Sequence, residues 1–190
     1  MNALCRPSLE TSRLCLRVPR LTDAPAVVEL AGDIRVASTT ALIPHPYALT
    51  HALEWFDYIR DDFDSGAGST FLLERLDQPG AIGSIGLLIA ADRVTASAGY
   101  WIGFPYWRNG YATEALREIL RHGFEDLGLL RIDACHMIGN PASGRVMQKA
   151  GMHFDGVIAQ GCRRGDQLFD KVTYSLFVDQ WRKQQAPLRF

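Results

Sequence analysis

Residues Trp107-Arg108-Asn109-Gly110-Tyr111-Ala112-Thr113-Glu114-Ala115 form a short polar turn that runs into an amphipathic stretch, and these residue types suit the holding of a phosphate. The first N–H groups of a helix have no partner inside it, and with the helix dipole they attract anions. Gly110 lets backbone approach a ligand with no Cβ in the way, and the small Ala112 leaves nearly the same clearance. Arg108 adds a planar fork of donors that matches phosphate oxygens. A plain tight turn with a helix cap would use the same residues, so both readings stand at this level. A Walker-type phosphate loop does not fit, because no Lys-Ser/Thr follows Gly110 and no Gly stands five positions before it.

Asn140-Pro141-Ala142-Ser143 opens a second helical stretch. Asn140 is a natural N-cap, and Ser143 is a first-turn serine able to bond the backbone. His45, His136 and His153 titrate near neutrality, and Asp155 precedes Gly156 in a sequence typical of turns. The four cysteines, Cys5, Cys15, Cys135 and Cys162, make no C-x-x-C pair and no Cys/His cluster with zinc spacing, so reduced structural thiols and no metal are expected. A covalent acyl-enzyme on Cys135 or Cys162 is not expected.

The elements that must position these groups are legible in the hydrophobic pattern. With 190 residues and 47% apolar composition the chain can close a core, and a single domain over 1–190 is expected. Twenty basic against 21 acidic residues give a net charge of -1, so no overall field points to nucleic acid or to a membrane. The start of the chain lacks the apolar core of a signal peptide, and the longest apolar run, 81–91, is too short to span a bilayer; a soluble cytoplasmic protein is expected.

Alternation marks a strand at 13–18, Thr22-Asp23-Ala24-Pro25 starts a helix that ends near Gly32, and a short helix covers 34–38. Pro44 and Pro46 keep 43–47 extended, and Thr50 is expected to cap a helix carrying Leu53, Trp55, Phe56 and Ile59. Strands at 71–74, 82–90 and 95–102 are separated by turns at 77–80 and 92–93. The helix from Gly110 buries Ala112, Ala115, Leu116, Ile119, Leu120 and Phe124 and stops before Gly128. A strand at 130–135, a helix at 140–150 with Val146 and Met147 inward, and strands at 154–158 and 172–177 complete the series. Arg163 and Arg164 fall at the tip of the hairpin 161–166.

The turn at Trp107, Gly110 and Ala112 resembles the coenzyme A signature of the GNAT superfamily of N-acetyltransferases, Gln or Arg, two residues, Gly, one residue, then Gly or Ala; Trp107 replaces the first position. Four segments in matching order are similar to the RimJ/RimL-like ribosomal-protein N-acetyltransferases: 10–17, 99–103, 110–115, and 140–143 leading to 149–152. The resemblance implies an α+β fold with a mixed, mostly antiparallel seven-stranded sheet, splayed near its middle and covered by helices on both faces. It implies acetyl-CoA as cofactor, cradled by Trp107, Arg108, Asn109, Gly110, Tyr111, Ala112 and Thr113. Ile102 would end the strand whose backbone pairs with the pantetheine arm, and Asn140 would bond the same arm.

Many superfamily members carry a Tyr where this chain has Met147, which cannot donate a proton; Ser143 is then the expected acid and thiolate donor, as in the RimL-like group. Asp155 occupies the place of that group's acidic residue before Gly and is the expected base, with the histidines as alternatives. The segment 44–47 and the helix with Trp55, Phe56 and Tyr58 would wall the acceptor groove. The implied reaction is direct acetyl transfer to a primary amine, with a polypeptide N-terminus as acceptor and the oxyanion held by a backbone N–H of the central strand. A small amine acceptor, or a module that binds acyl-CoA without catalysis, are the alternatives. Exposed aromatic segments also allow a homodimer.

Overall fold

The computed structural model describes residues 8–186, so Cys5 and the amino-terminal segment read for a signal peptide lie outside the described residues. The chain runs β1 (Leu9–Glu10), β2 (Leu14–Arg17), α1 (Ala24–Gly32), α2 (Ile34–Ala37), α3 (Leu49–Ser65), β3 (Gly68–Arg75), β4 (Gln78–Ile89), β5 (Thr95–Ile102), α4 (Tyr111–Arg121), β6 (Arg131–Met137), α5 (Pro141–Lys149), β7 (His153–Arg164), β8 (Gln167–Phe177) and α6 (Val178–Gln185). The strands form one sheet in the order β1-β2-β3-β4-β5-β6-β8-β7. Among the described residues it has eight strands rather than the expected seven, because Leu9–Glu10 pairs with Leu16 and Cys15 as a two-residue outer strand too short to leave a periodic signal.

Every neighbouring pair is antiparallel except β5 and β6, which are parallel and pair only over Thr95–Ala98 and Arg131–Ala134. Beyond Ala98, β5 continues to Ile102, and beyond Ala134, β6 continues to Met137, without pairing to each other. The sheet is therefore splayed at its middle, and the divergent ends of the two strands leave backbone groups facing the gap.

Alternation along the strands sends side chains to two cores. On one face, Leu116, Ile119, Leu120 and Met147 from α4 and α5 pack on Phe71, Ile85, Ala98 and Ile132. On the other, Val27 and Ala31 of α1 and Ala52 and Phe56 of α3 pack on Leu72, Ala81 and Trp101. Fully burying one leucine or isoleucine in such a layer contributes about 2 kcal/mol, so α4 is fixed chiefly by its apolar stripe.

Local details depart from the sequence reading where a side chain found a distant partner. Asp23 stands at the start of α1, but its carboxylate takes both terminal nitrogens of buried Arg17 at 2.8 Å and the N–H of Arg20 at 2.7 Å instead of capping the helix. Glu74 completes this ion triad at 2.6 Å from Arg17 Nε. Thr50 does not cap α3; the helix begins one residue earlier, and His51 Nδ1 accepts the Ala48 N–H at 3.0 Å. The turn before β4 tightens to Leu76–Asp77, while Asp92 accepts from the N–H groups of Val94 and Thr95, as its turn position requires. The final hairpin is much longer than expected, with its tip at Gly165–Asp166, and α6 follows it.

Candidate active site

The cradle begins where β5 ends. Gly110 has φ 83°, a left-handed conformation that glycine adopts freely, and it is the residue from which α4 starts. The first helical bond runs from Glu114 N–H to the Gly110 carbonyl, and no side chain caps the start, so the N–H groups of Tyr111, Ala112 and Thr113 are the open donors of that turn. Asn109 braces the turn by donating from its amide to the carbonyls of Tyr106 at 3.2 Å and Trp107 at 3.0 Å. Arg108, itself at φ 63°, is exposed beside it. Trp107 is exposed, and its indole N–H donates to the Ile102 carbonyl at 2.6 Å. Ile102 ends β5 with its carbonyl taken by Trp107, and beyond Ala98 the strand runs without pairing to β6.

A second cation reaches the cradle from β2's side. Arg13 donates to the Asn109 carbonyl at 3.1 Å, pairs with Glu114 at 2.6 Å and lies 4.8 Å over the Tyr111 ring. Glu114 also accepts from the hydroxyls of Thr11 at 2.6 Å and Ser12 at 3.1 Å. Burial pushes the Glu114 carboxyl up, yet these donors outweigh it and leave its pKa below the ordinary value. One glutamate therefore staples the chain before β2 onto the first turn of α4. Beside the staple, Gly110, Thr113, Arg117 and Lys149 line an open groove of about 890 Å³, ample for a nucleotide-sized group. Open donors, a close-approach glycine and flanking cations fit the phosphates of coenzyme A.

At the splay, Asn140 caps α5: its carbonyl oxygen accepts the Ser143 N–H at 3.3 Å, while its amide donates to the Thr39 carbonyl at 3.3 Å. Ser143 is half-buried, and its hydroxyl lies 2.7 Å from that of Tyr100, which also lies 3.1 Å from the Ser143 carbonyl. Burial pushes the Tyr100 phenol up to about 12. A Cβ on Gly144 would sit 2.8 Å from both His136 Nε2 and the Tyr174 hydroxyl, so glycine here lets α5 lie against these two side chains without moving them. Met147 is buried in the core and contributes no donor. Tyr100 falls inside the segment 99–103, where Ile102 was the residue expected to act. The available signal was its register: Ala96, Ala98 and Tyr100 face one way, making Tyr100 a polar residue on an inward row.

Asp155 is not brought to this group. Its carboxylate accepts from Ser175 Oγ at 2.8 Å and lies 4.0 Å from Arg131 Nη2. Ser175 is opposite Asp133, which is opposite Ser97, and that row lies on the paired side of the splay; Tyr100 and Tyr174 alternate to the other face. Asp155 is thus held by Ser175 and Arg131 on the face opposite Tyr100, and turn chemistry alone does not tell which face a residue takes. Of the histidines, His136 stands on the free end of β6 with Nδ1 2.7 Å from the Met137 carbonyl, His45 Nδ1 lies 3.0 Å from the Gly32 carbonyl, and His153 is exposed at the start of β7. Burial pushes the Cys135 thiol up, opposite to what a nucleophile needs.

A family model described as the acetyltransferase (GNAT) domain matches residues 13–153. The uncharacterized N-acetyltransferase YoaA of Bacillus subtilis is 31% identical over 171 residues, spanning 90% of this chain and 96% of its own length. The solved structure of RimL, the ribosomal L7/L12 alpha-N-protein acetyltransferase in complex with coenzyme A, superposes with a TM-score of 0.81 at 16% identity, covering 92% of this chain and 99% of that one. Spermidine N-acetyltransferase from Vibrio cholerae, in complex with CoA and spermine, gives a TM-score of 0.76 at 18% identity over 90% and 99% of the two chains. The splayed sheet, the donor-rich start of α4 and these matches agree: the chain belongs to the GNAT acetyltransferase family, an N-acetyltransferase whose acetyl donor is acetyl-CoA.

Proposed function

We propose that this enzyme works as a single domain that acetylates the α-amine at the N-terminus of a polypeptide whose leading side chains are neutral or acidic. The observation that carries this reading is the position of Arg164, whose Nη1 donates to the Ser38 carbonyl at 3.5 Å. It sets the tip of the long β7–β8 hairpin over the loop that leads from α2 to α3. Asn140 ties the next residue of that loop, Thr39, to the start of α5. Tyr47, Trp55 and Trp101 pack on the core beneath. A cation beside apolar walls draws an acidic or neutral segment and repels a polyamine.

In this reading residues 110–113 and the neighbouring cations hold the phosphates, and the backbone of 99–101 aligns the pantetheine arm and the thioester carbonyl. The amine enters from the α1/α3 face. Its nitrogen bonds to the carbonyl carbon, the C–S bond breaks with its electron pair going to sulfur, and the amine proton passes to water in the open splay. Ser143 donates a hydrogen bond to the departing sulfur. An α-amine with a pKa near 8 keeps a usable neutral fraction at neutral pH, so water suffices as base.

Thiol release from acetyl-CoA tests this with three acceptors: N-terminal peptides with acidic second and third residues, the same peptides with lysines there, and spermidine. The acidic set is expected to exceed the lysine set by about tenfold in kcat/KM, with the order reversed in Arg164→Glu. Preference for spermidine would move the reading to small amines.

A further inference from the structure

We propose that Tyr100 is a positioning residue that fixes the direction of the Ser143 hydroxyl hydrogen, so that Ser143 meets the released thiolate with a donor and not with a lone pair. The inference rests on the assignment of Ser143 as the group that meets sulfur and adds the residue that makes it competent.

A serine hydroxyl has one hydrogen, and so does a phenol. Tyr100 Oη lies 2.7 Å from Ser143 Oγ and 3.1 Å from the Ser143 carbonyl, so its one hydrogen has two acceptors on the same residue. Directed at the carbonyl, it leaves the Tyr100 lone pair to receive the Ser143 hydrogen, and the serine then offers nothing to an anion. Directed at Oγ, it fills a serine lone pair and frees the Ser143 hydrogen to turn into the splay. A thiolate only accepts, so its arrival favours the second arrangement. No comparable partner is recorded for Ser143 Oγ among the described residues, which leaves Tyr100 as the group that decides between the two.

The surroundings keep Tyr100 in this part. It stands on the free end of β5, half-buried, with its ring on the α5 side of the sheet. Burial and the nearby Tyr174 and Cys135 all disfavour its phenolate, while the bond to Ser143 opposes them. A thiol with a pKa near 8.5 cannot strip such a phenol, so Tyr100 keeps its proton through the step. The sulfur stays a hydrogen-bonded thiolate until solvent protonates it, and no proton leaves the tyrosine.

The test uses coenzyme A bound to the purified chain, its thiol titrated through thiolate absorbance. In the wild type the bound thiol is expected to titrate about 1 pH unit below that in Tyr100→Phe. Ser143→Ala and the double variant should match each other, because Tyr100 acts only through Ser143. A ring-fluorinated tyrosine at position 100, which keeps the shape and strengthens the donor, should lower the thiol pKa further. In turnover, Tyr100→Phe should lose about tenfold in kcat with KM for acetyl-CoA unchanged. Wild-type titration in both Tyr100→Phe and the fluorinated protein overturns the proposal while leaving the Ser143 assignment standing. An unchanged thiol in Ser143→Ala overturns both.

Discussion

Two hydroxyl chains in this molecule look alike on paper and differ in use. Ser69 Oγ lies 3.1 Å from His122 Nε2, and His122 Nδ1 lies 2.8 Å from Asp126 Oδ2, the connectivity of a nucleophilic triad. The Ser143 hydroxyl has Tyr100 as its side-chain partner among the described residues. Yet Ser69 and His122 are each 3% exposed, with the Phe71 ring set edge-on against the imidazole, so no acyl group reaches that serine. Ser143 sits half-buried at the mouth of the splay. Between Ser69 and Asp126 both ring nitrogens of His122 have a partner, so the chain is satisfied where it lies under α4. Connectivity alone does not make a catalytic group; in the proposed reading it is access to the splay that sets Ser143 apart.

Four substitutions break or sharpen this contrast. Ser143→Ala should lower kcat about a hundredfold with the fold intact, measured by thiol release and circular dichroism. His122→Ala should do the reverse. It leaves Ser69 unpartnered and opens a cavity, costing about 3 kcal/mol in denaturant titration, while the folded fraction keeps its kcat.

Asp126→Asn should act more gently, and on the acid limb. Burial pushes the Asp126 carboxyl up, but the bonds from Arg121 and His122 outweigh it, and its folded pKa lies below the ordinary 3.8. A carboxylate depressed by folding stabilises the protein above its unfolded pKa and loses that stabilisation as pH falls through the folded value. The asparagine variant should therefore show a shallower loss of stability below about pH 4, followed by melting temperature against pH. The smallest effect belongs to Asp155→Asn, whose kcat should stay within about twofold of wild type, since its partners Ser175 and Arg131 lie away from the splay.

The parts legible in sequence were those set by local spacing. The stripe Ala115, Leu116, Ile119 and Leu120 announced α4 because helical periodicity and burial coincide there. Gly110 announced the cradle because its conformation favours glycine. The long β7 did not announce itself: it is an outer strand exposed along most of its length, so no alternation records it. α6 escaped for a similar reason, with only Val178 buried, although Gln180 accepting the Phe177 N–H and Asp179 in the first turn are readable start signals. The pairing of Tyr100 with Ser143 spans 43 residues and that of Thr11 with Glu114 spans 103. Neither is visible until the sheet brings the segments together, and the same holds for the face that Asp155 takes.

The central claim is that Ser143, and no other hydroxyl, meets the thioester sulfur. A crystal structure of the chain with coenzyme A tests it most directly. The phosphates are expected on the N–H groups of 111–113, the arm between the free ends of β5 and β6, and the sulfur within hydrogen-bond reach of Ser143 Oγ. A sulfur seated away from Ser143, with that hydroxyl still bonded only to Tyr100, would contradict it.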